Sequence, residues 1–217
     1  MIDTSNETND LFEAIYSQRA IRRWKTDPVP DDILKKVVEA ATKAPSGSNR
    51  QPWKWLLVRD TSKRAEIARL LRESSSSRAA SFFEEGAKSP DRSTRLMYTG
   101  ALNLVNNLDQ APVFVIPCLH SEGEAGVSRV GFRAGGSIYG AVQNLQLAAR
   151  GFGLGTVFTS FDAGIEPQLR ELLGIPEEAQ PMALIPLGYS DAKFGPTKRK
   201  PVEEVTFWEE WGRADPA

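Results

Sequence analysis

The stretch APSGSNRQPW, residues 44–53, joins a helix to a strand through residues that favour exposed backbone over side-chain packing. Pro45, Gly47 and Pro52 punctuate it, Ser46, Ser48 and Asn49 bring short polar groups, and Trp53 opens an apolar run that enters the core. Such a loop is built to cradle a flat, polar ligand. On its N-terminal side, Asp31 to Lys43 carries Ile33, Leu34, Val37, Val38 and Ala41 as one apolar stripe, with two aspartates in the first turn. On its C-terminal side, WKWLLVR (residues 53–59) reads as a strand.

Around this core unit, Leu11, Phe12, Ile15 and Tyr16 stand at helical spacing behind Asn9 or Asp10 as caps, after a polar tail at residues 1–9. Ser62 to Arg72 reads as an amphipathic helix. Residues 74–100 mix serines, Phe82, Phe83, Gly86 and Pro90, and are expected to form a helical excursion or lid. PVFVIPCL (112–119) is a buried strand in which Pro117 argues for an edge position or a strand end nearby. GSIYGAVQNLQLAAR (136–150) is apolar on most faces, so it is a buried central or subunit-interface helix. Strands follow at Thr156 to Phe161 and Met182 to Gly188, with a helix between them from Pro167 to Leu173 stopped by Gly174; the last thirty residues form an extended arm.

At 217 residues, 41% of them hydrophobic, residues 10–217 suffice for a single well-cored domain. Twenty-seven basic and 28 acidic residues leave a net charge of -1, so there is no bulk positive field for nucleic acid or an anionic membrane. One cysteine and one histidine exclude an intrachain disulfide and a typical zinc site. No run approaches the length of a spanning helix and the start lacks a signal peptide's pattern, so the expectation is a cytoplasmic protein with no metal.

Several motifs invite chemistry and yield to plainer readings. GFGLG (151–155) follows a helix and precedes a strand, the reverse of a dinucleotide-binding turn, so its glycines end a helix. His120 has no nucleophile elbow near it and reads as a loop histidine. Cys118 reads as a small buried residue. In RAIRRWKTDPVPDD, Arg19 and Arg22 lie three apart and are able to present two guanidinium groups to phosphate or carbonyl oxygens, or simply to pair with Asp27, Asp31 or Asp32.

Taken in order, the arginine turn, APSGSNRQPW, GSIYGAVQNLQLAARGFGLGTVFTS and the late PTKRKPVEEV resemble the FMN-dependent nitroreductase family over residues 11–211. The closing VTFWEEW, with Trp208 and Trp211, is similar to the ending of an actinobacterial-type branch. The resemblance implies a three-layer α+β fold, with a mixed, mostly antiparallel sheet between helices. It also implies an intertwined homodimer with a C-terminal arm and two interfacial FMN sites. By position, Arg19, Ala20 and Arg22 match the family turn that contacts flavin phosphate, ribityl chain and pyrimidine edge. Gln18 and Ala20 depart from the usual arginine and serine there. Arg199 matches the late phosphate-binding arginine; Pro45, Ser46, Gly47 and Asn49 match the loop reaching the flavin from the other subunit. Phe158, Thr159 and Ser160 match the segment beside the flavin's dimethylbenzene and N5 edges. The implied activity is ping-pong hydride transfer from NADH or NADPH through FMN to a nitroaromatic, quinone or similar acceptor, with no protein nucleophile. Other flavoenzymes of the fold, such as dehalogenases, flavin-cleaving enzymes and dehydrogenases, and a non-catalytic FMN-binding dimer, are the alternatives.

Overall fold

A computed structural model describes residues 10–74, 77–120, 132–160 and 163–214. The polar tail expected at 1–9 and the strand end expected at Phe161 lie outside them. The described elements run α1 (Leu11–Ser17), α2 (Asp31–Ala41), β1 (Trp53–Val58), α3 (Thr61–Ser74), α4 (Ser77–Gly86), α5 (Arg92–Asn107) and β2 (Val113–His120). They continue with α6 (Tyr139–Gly151), β3 (Leu154–Thr156), α7 (Glu166–Leu173), β4 (Ala179–Pro181) and β5 (Ile185–Tyr189).

Strand β2 organises the layers. Its side chains alternate: Val113, Val115 and Leu119 enter one core with α2 and α6, while Phe114, Ile116 and Cys118 enter a second core with Ile67 of α3 and Leu169 of α7. A strand buried on both faces reads as a continuous apolar run, as PVFVIPCL does. The sheet order is β1-β2-β5-β3, with β4 also on β2, and every pairing among the described residues is antiparallel. The chain is thus an α+β protein of three layers.

Pro117 is not at an edge but stands three residues before the end of β2. β1 pairs with β2 from Phe114 to Leu119, and the other side of β2 is shared by β5 at Val113 to Val115 and β4 at Cys118 to His120. The Pro117 carbonyl accepts from Met182 N–H at 2.8 Å, on that shared side. Carbonyl and nitrogen of one residue face the same neighbour in an antiparallel ladder, so the missing N–H falls in the gap between β5 and β4. His120 is likewise a strand end rather than a loop residue, its N–H donating to Pro52 carbonyl at 2.6 Å.

The helices obey their local signals. Asp10 caps α1 by accepting from Glu13 N–H at 2.7 Å. α6 buries Ala141, Val142, Leu145 and Ala149, and ends at Gly151 with Gly153 at φ 69°, so GFGLG does terminate a helix. At the end of α6, buried Arg150 ties α1 and the chain after β5 together. It donates to Ser17 Oγ at 2.9 Å, pairs with Glu13 at 2.5 Å and lies 4.1 Å from the Phe194 ring centroid. Within 74–100 the excursion is two helices, and α5 runs on to Asn107, past the expected end. α4 and α5 meet through Phe82, Phe83 and Tyr98. After Tyr189 the described chain has no strand, only a short turn at Val202–Glu204, and leaves Trp211 93% exposed.

Candidate functional site

The arginine turn is held against the sheet by its apolar members. Ile21 and Trp24 are buried; Ile21 N–H donates to Thr156 carbonyl and Trp24 Nε1 to Gly155 carbonyl, both at 2.9 Å. A Cβ on Gly155 would stand 2.5 Å from Ile21 Cγ2, so only glycine allows this approach. With Ile21 and Trp24 turned inward, Arg19 and Ala20 are exposed and Arg22 is half-buried. Asn103 Nδ2 of α5 donates to the Arg22 carbonyl at 2.8 Å.

No carboxylate answers either guanidinium among the described residues. Arg22 Nε is buried without a hydrogen-bond partner. Burial, and secondarily the positive Arg19, lower the Arg22 pKa from the usual arginine range. Two like charges, one of them desolvated, are costly unless an anion or a ring of carbonyl oxygens completes them.

Phe158, Thr159 and Ser160 follow β3, whose Thr156 holds Ile21, so the structure brings them to the same sheet end as the arginine turn. Thr159 spends its backbone on Leu184, donating at 3.0 Å and accepting at 2.8 Å. The Thr159 N–H is therefore already engaged within the sheet. Its Oγ1 is buried with no partner. Two of the three orphaned buried side-chain atoms among the described residues, Arg22 Nε and Thr159 Oγ1, thus belong to predicted site residues. Their donor chemistry fits a flavin, which offers a phosphate and ring carbonyl and nitrogen acceptors.

The cradle loop is exposed but ordered. Residues Gly47–Asn49 form a short 3-10 turn, with Ser48, Asn49 and Gln51 all at φ 52°. Asn49 N–H donates to Ser46 carbonyl at 3.0 Å, and Gln51 N–H to Ser46 Oγ at 3.0 Å. Gly47 N–H donates to Ser137 Oγ at 3.1 Å, tying the loop to the turn before α6. Two residues on, Tyr139 meets Phe158 edge-on at 5.9 Å. One protomer therefore links Pro45–Asn49 to Phe158 through Ser137 and Tyr139. Arg199 stands apart: it is exposed and donates to the Lys198 carbonyl at 2.9 Å, with no hydrogen bond or ion pair to the other candidates among the described residues.

Ser137, Tyr139 and Asn103 escaped the sequence reading as site residues. An asparagine in mid-helix was the one available signal for Asn103, because such residues stay there when a distant partner holds them. Asn144, by contrast, donates to Ala40 carbonyl at 3.4 Å on α2, an ordinary helix-to-helix contact. Cys118 is buried, and desolvation pushes its thiol up to about 11, as befits an inert packing residue. Among the described residues no cluster of three or more potential metal ligands occurs, and no helix is long and apolar enough to cross a membrane.

A protein named NADH dehydrogenase from Thermus thermophilus is 30% identical over 210 residues, spanning 92% of this chain and 96% of its own. Iodotyrosine deiodinase 1 of Rattus norvegicus is 28% identical over 207 residues, 91% of this chain and 69% of its own. Among solved structures, a nitroreductase with bound FMN from Bacteroides fragilis superposes with a TM-score of 0.62 at 25% identity, covering 89% of this chain and 96% of that one. The family description "Nitroreductase family" matches residues 15–189, and with the three-layer fold and the arginine turn in place, this chain belongs to the nitroreductase family.

Proposed function

We propose that this protein is an FMN-dependent NAD(P)H oxidoreductase that reduces nitroaromatic, quinone or similar conjugated acceptors. The observation that carries the reading is the pair of orphaned donors, Arg22 Nε and Thr159 Oγ1, at the sheet end where two arginines lack an acidic partner among the described residues. When bound, the flavin supplies a hydride-accepting N5 that takes two electrons from a reduced nicotinamide and returns them to the acceptor in a second half-reaction. Arg19 and Arg199 hold phosphate oxygens by charge-assisted hydrogen bonds. Arg22 places fixed positive charge where negative charge develops on the ring, in a half-buried position where it is weakly screened. The Thr159 hydroxyl donates toward the ring edge, and Phe158 with Tyr139 offers an aromatic wall. Pro45, Ser46, Gly47 and Asn49 cover the flavin of the partner subunit. The active form is a cytoplasmic homodimer. In its support, α1 exposes Leu11, Phe12 and Tyr16 at 62, 65 and 67%, an apolar face that a monomer leaves in water.

Deiodination is the weaker reading. A zwitterionic halotyrosine would need an acid, a lysine and an aromatic from the 74–100 excursion, where Glu84, Glu85, Lys88 and Tyr98 stand. Tyr98 instead packs edge-on to Phe82 at 5.2 Å, two residues from Gly100 and so on the opposite side of α5 from Arg22.

The purified protein is expected to be yellow, and NADH or NADPH is expected to bleach it under anaerobic conditions. A colourless preparation that fails to take up added FMN refutes the proposal. A yellow protein that neither nucleotide bleaches reduces it to flavin binding without turnover.

A further inference from the structure

The face that α5 turns to the arginine turn carries an amide ladder with one visible outlet. Gln110 Nε2 donates to Asn107 Oδ1 at 3.0 Å, Asn107 Nδ2 to Asn103 Oδ1 at 3.2 Å, and Asn103 Nδ2 to the Arg22 carbonyl at 2.8 Å. The order is forced. A carbonyl only accepts, so Asn103 must aim its NH2 at Arg22, which leaves its Oδ1 for the Asn107 donor. The foot of the ladder is fixed to the core. Leu108 is buried, and Arg64 Nη1 donates to the carbonyls of Asp109 at 2.5 Å and Ala111 at 2.6 Å.

One turn before Asn103, Gly100 makes room for the same arginine. A Cβ there would lie 3.3 Å from Arg22 Nη1 and 3.5 Å from its Cδ, and its three nearest neighbours all belong to that side chain. The helix thus fixes the Arg22 backbone and packs its stem. It satisfies none of its guanidinium N–H groups, and Nε is left buried and unpaired. A helix stripe with asparagines at 103 and 107 and a glycine at 100 is poor in helix propensity, so its composition serves something other than helix stability.

We infer that Asn103 and Gly100 are positioning residues for Arg22, presetting its guanidinium for the cofactor through contacts that α5, not the sheet, supplies. The inference rests on the FMN reading above. It makes α5 more than a cover, because a shift of this helix moves the charge beside the flavin.

The test uses purified Asn103→Ala, Gly100→Leu and Arg22→Ala proteins, and the double variant of Asn103→Ala with Arg22→Ala. FMN dissociation constants are measured by flavin fluorescence on the apoproteins, and midpoint potentials on the reloaded ones. Asn103→Ala is expected to weaken FMN about tenfold, the scale of one net hydrogen bond, and to lower the potential of the bound flavin. In the Arg22→Ala background it should change neither. Gly100→Leu should act likewise while the apoprotein melts at or near the wild-type temperature, since leucine is a good helix former and the atoms nearest a Cβ at this position all belong to the Arg22 side chain. Melting temperatures that fall while affinity and potential stay at wild-type values overturn the inference, as do equal costs of Asn103→Ala with and without Arg22. A wild-type protein that takes up no FMN overturns the functional reading as well; FMN binding untouched by either α5 variant overturns this inference alone.

Discussion

Gly155→Ala tests how the arginine turn is seated. The added Cβ would lie 2.5 Å from Ile21 Cγ2, 2.7 Å from its Cβ and 3.0 Å from its Cγ1. Ordinary carbon contacts begin near 3.5 Å, so about 1 Å of separation must be opened. Rotation of Ile21 does not open it, because Cβ itself is in the way and a β-branched side chain is stiff at χ1. The turn must instead lift from β3, loosening Ile21 N–H to Thr156 carbonyl and Trp24 Nε1 to Gly155 carbonyl. Overpacking costs about 1–3 kcal/mol, and each weakened buried hydrogen bond about 1 kcal/mol. Replacing glycine returns about 0.5 kcal/mol by restricting the unfolded chain. The net expectation is a loss of about 2–4 kcal/mol. For a chain of this size that is a fall in melting temperature on the order of 8 °C. Urea unfolding followed by circular dichroism measures it, with Gly136→Ala as the control, where nothing lies within 4 Å of the added carbon. FMN affinity should fall in parallel, because Arg19 and Arg22 ride on the same turn. A Gly155→Ala protein within about 0.5 kcal/mol of wild type, the range of an ordinary surface change, refutes the seating argument.

Thr159→Val removes a hydroxyl that has no hydrogen-bond partner among the described residues, so the apoprotein should be as stable as wild type or slightly more so, while FMN binds more weakly; thermal melts and flavin titrations read the two effects. Arg199→Ala should cost roughly 1.5–3 kcal/mol of FMN binding if its guanidinium meets phosphate; unchanged affinity removes Arg199 from the site. The Cys118 thiol, raised from 9.0 to about 11 by burial, remains protonated in the folded protein where the unfolded thiol ionises. Folding stability should therefore hold its thiol contribution below about pH 9 and lose it as pH rises towards 11, and iodoacetamide at pH 8 should label Cys118 only after denaturant is added.

The layers were legible because local chemistry and burial agree. Alternation along PVFVIPCL, the stripe of α2 and the glycine after α6 each report an environment that neighbours in sequence determine. Pro117 pointed to the nearby end of β2 at His120 but also to an edge that is not there, because strand position depends on how β4 and β5 divide one side of β2, and no residue near Pro117 records that division. The site was legible where it is backbone-dominated, in the cradle loop and the arginine turn. It was illegible where partners lie far apart along the chain. Asn103 meets a carbonyl 81 positions away and Ser137 an amide 90 away, and neither polar side chain advertises its partner. Arg150 was similarly hidden within an apolar helix, although its hydroxyl partner lies 133 positions earlier.

Three exceptions to backbone preference within four residues of the cradle loop bear on how fast a ligand is captured. Ser48, Asn49 and Gln51 each hold φ at 52°, a region that costs residues with a Cβ about 1 kcal/mol or more apiece. Hydrogen bonds from Gly47, Asn49 and Gln51, each to a group of the chain itself, maintain that shape. The strain is thus met once, during folding, and is not charged again at each encounter. Capture by such a loop should proceed in a single bimolecular phase whose rate scales with ligand concentration, without the saturating phase that a loop still searching for its form would impose.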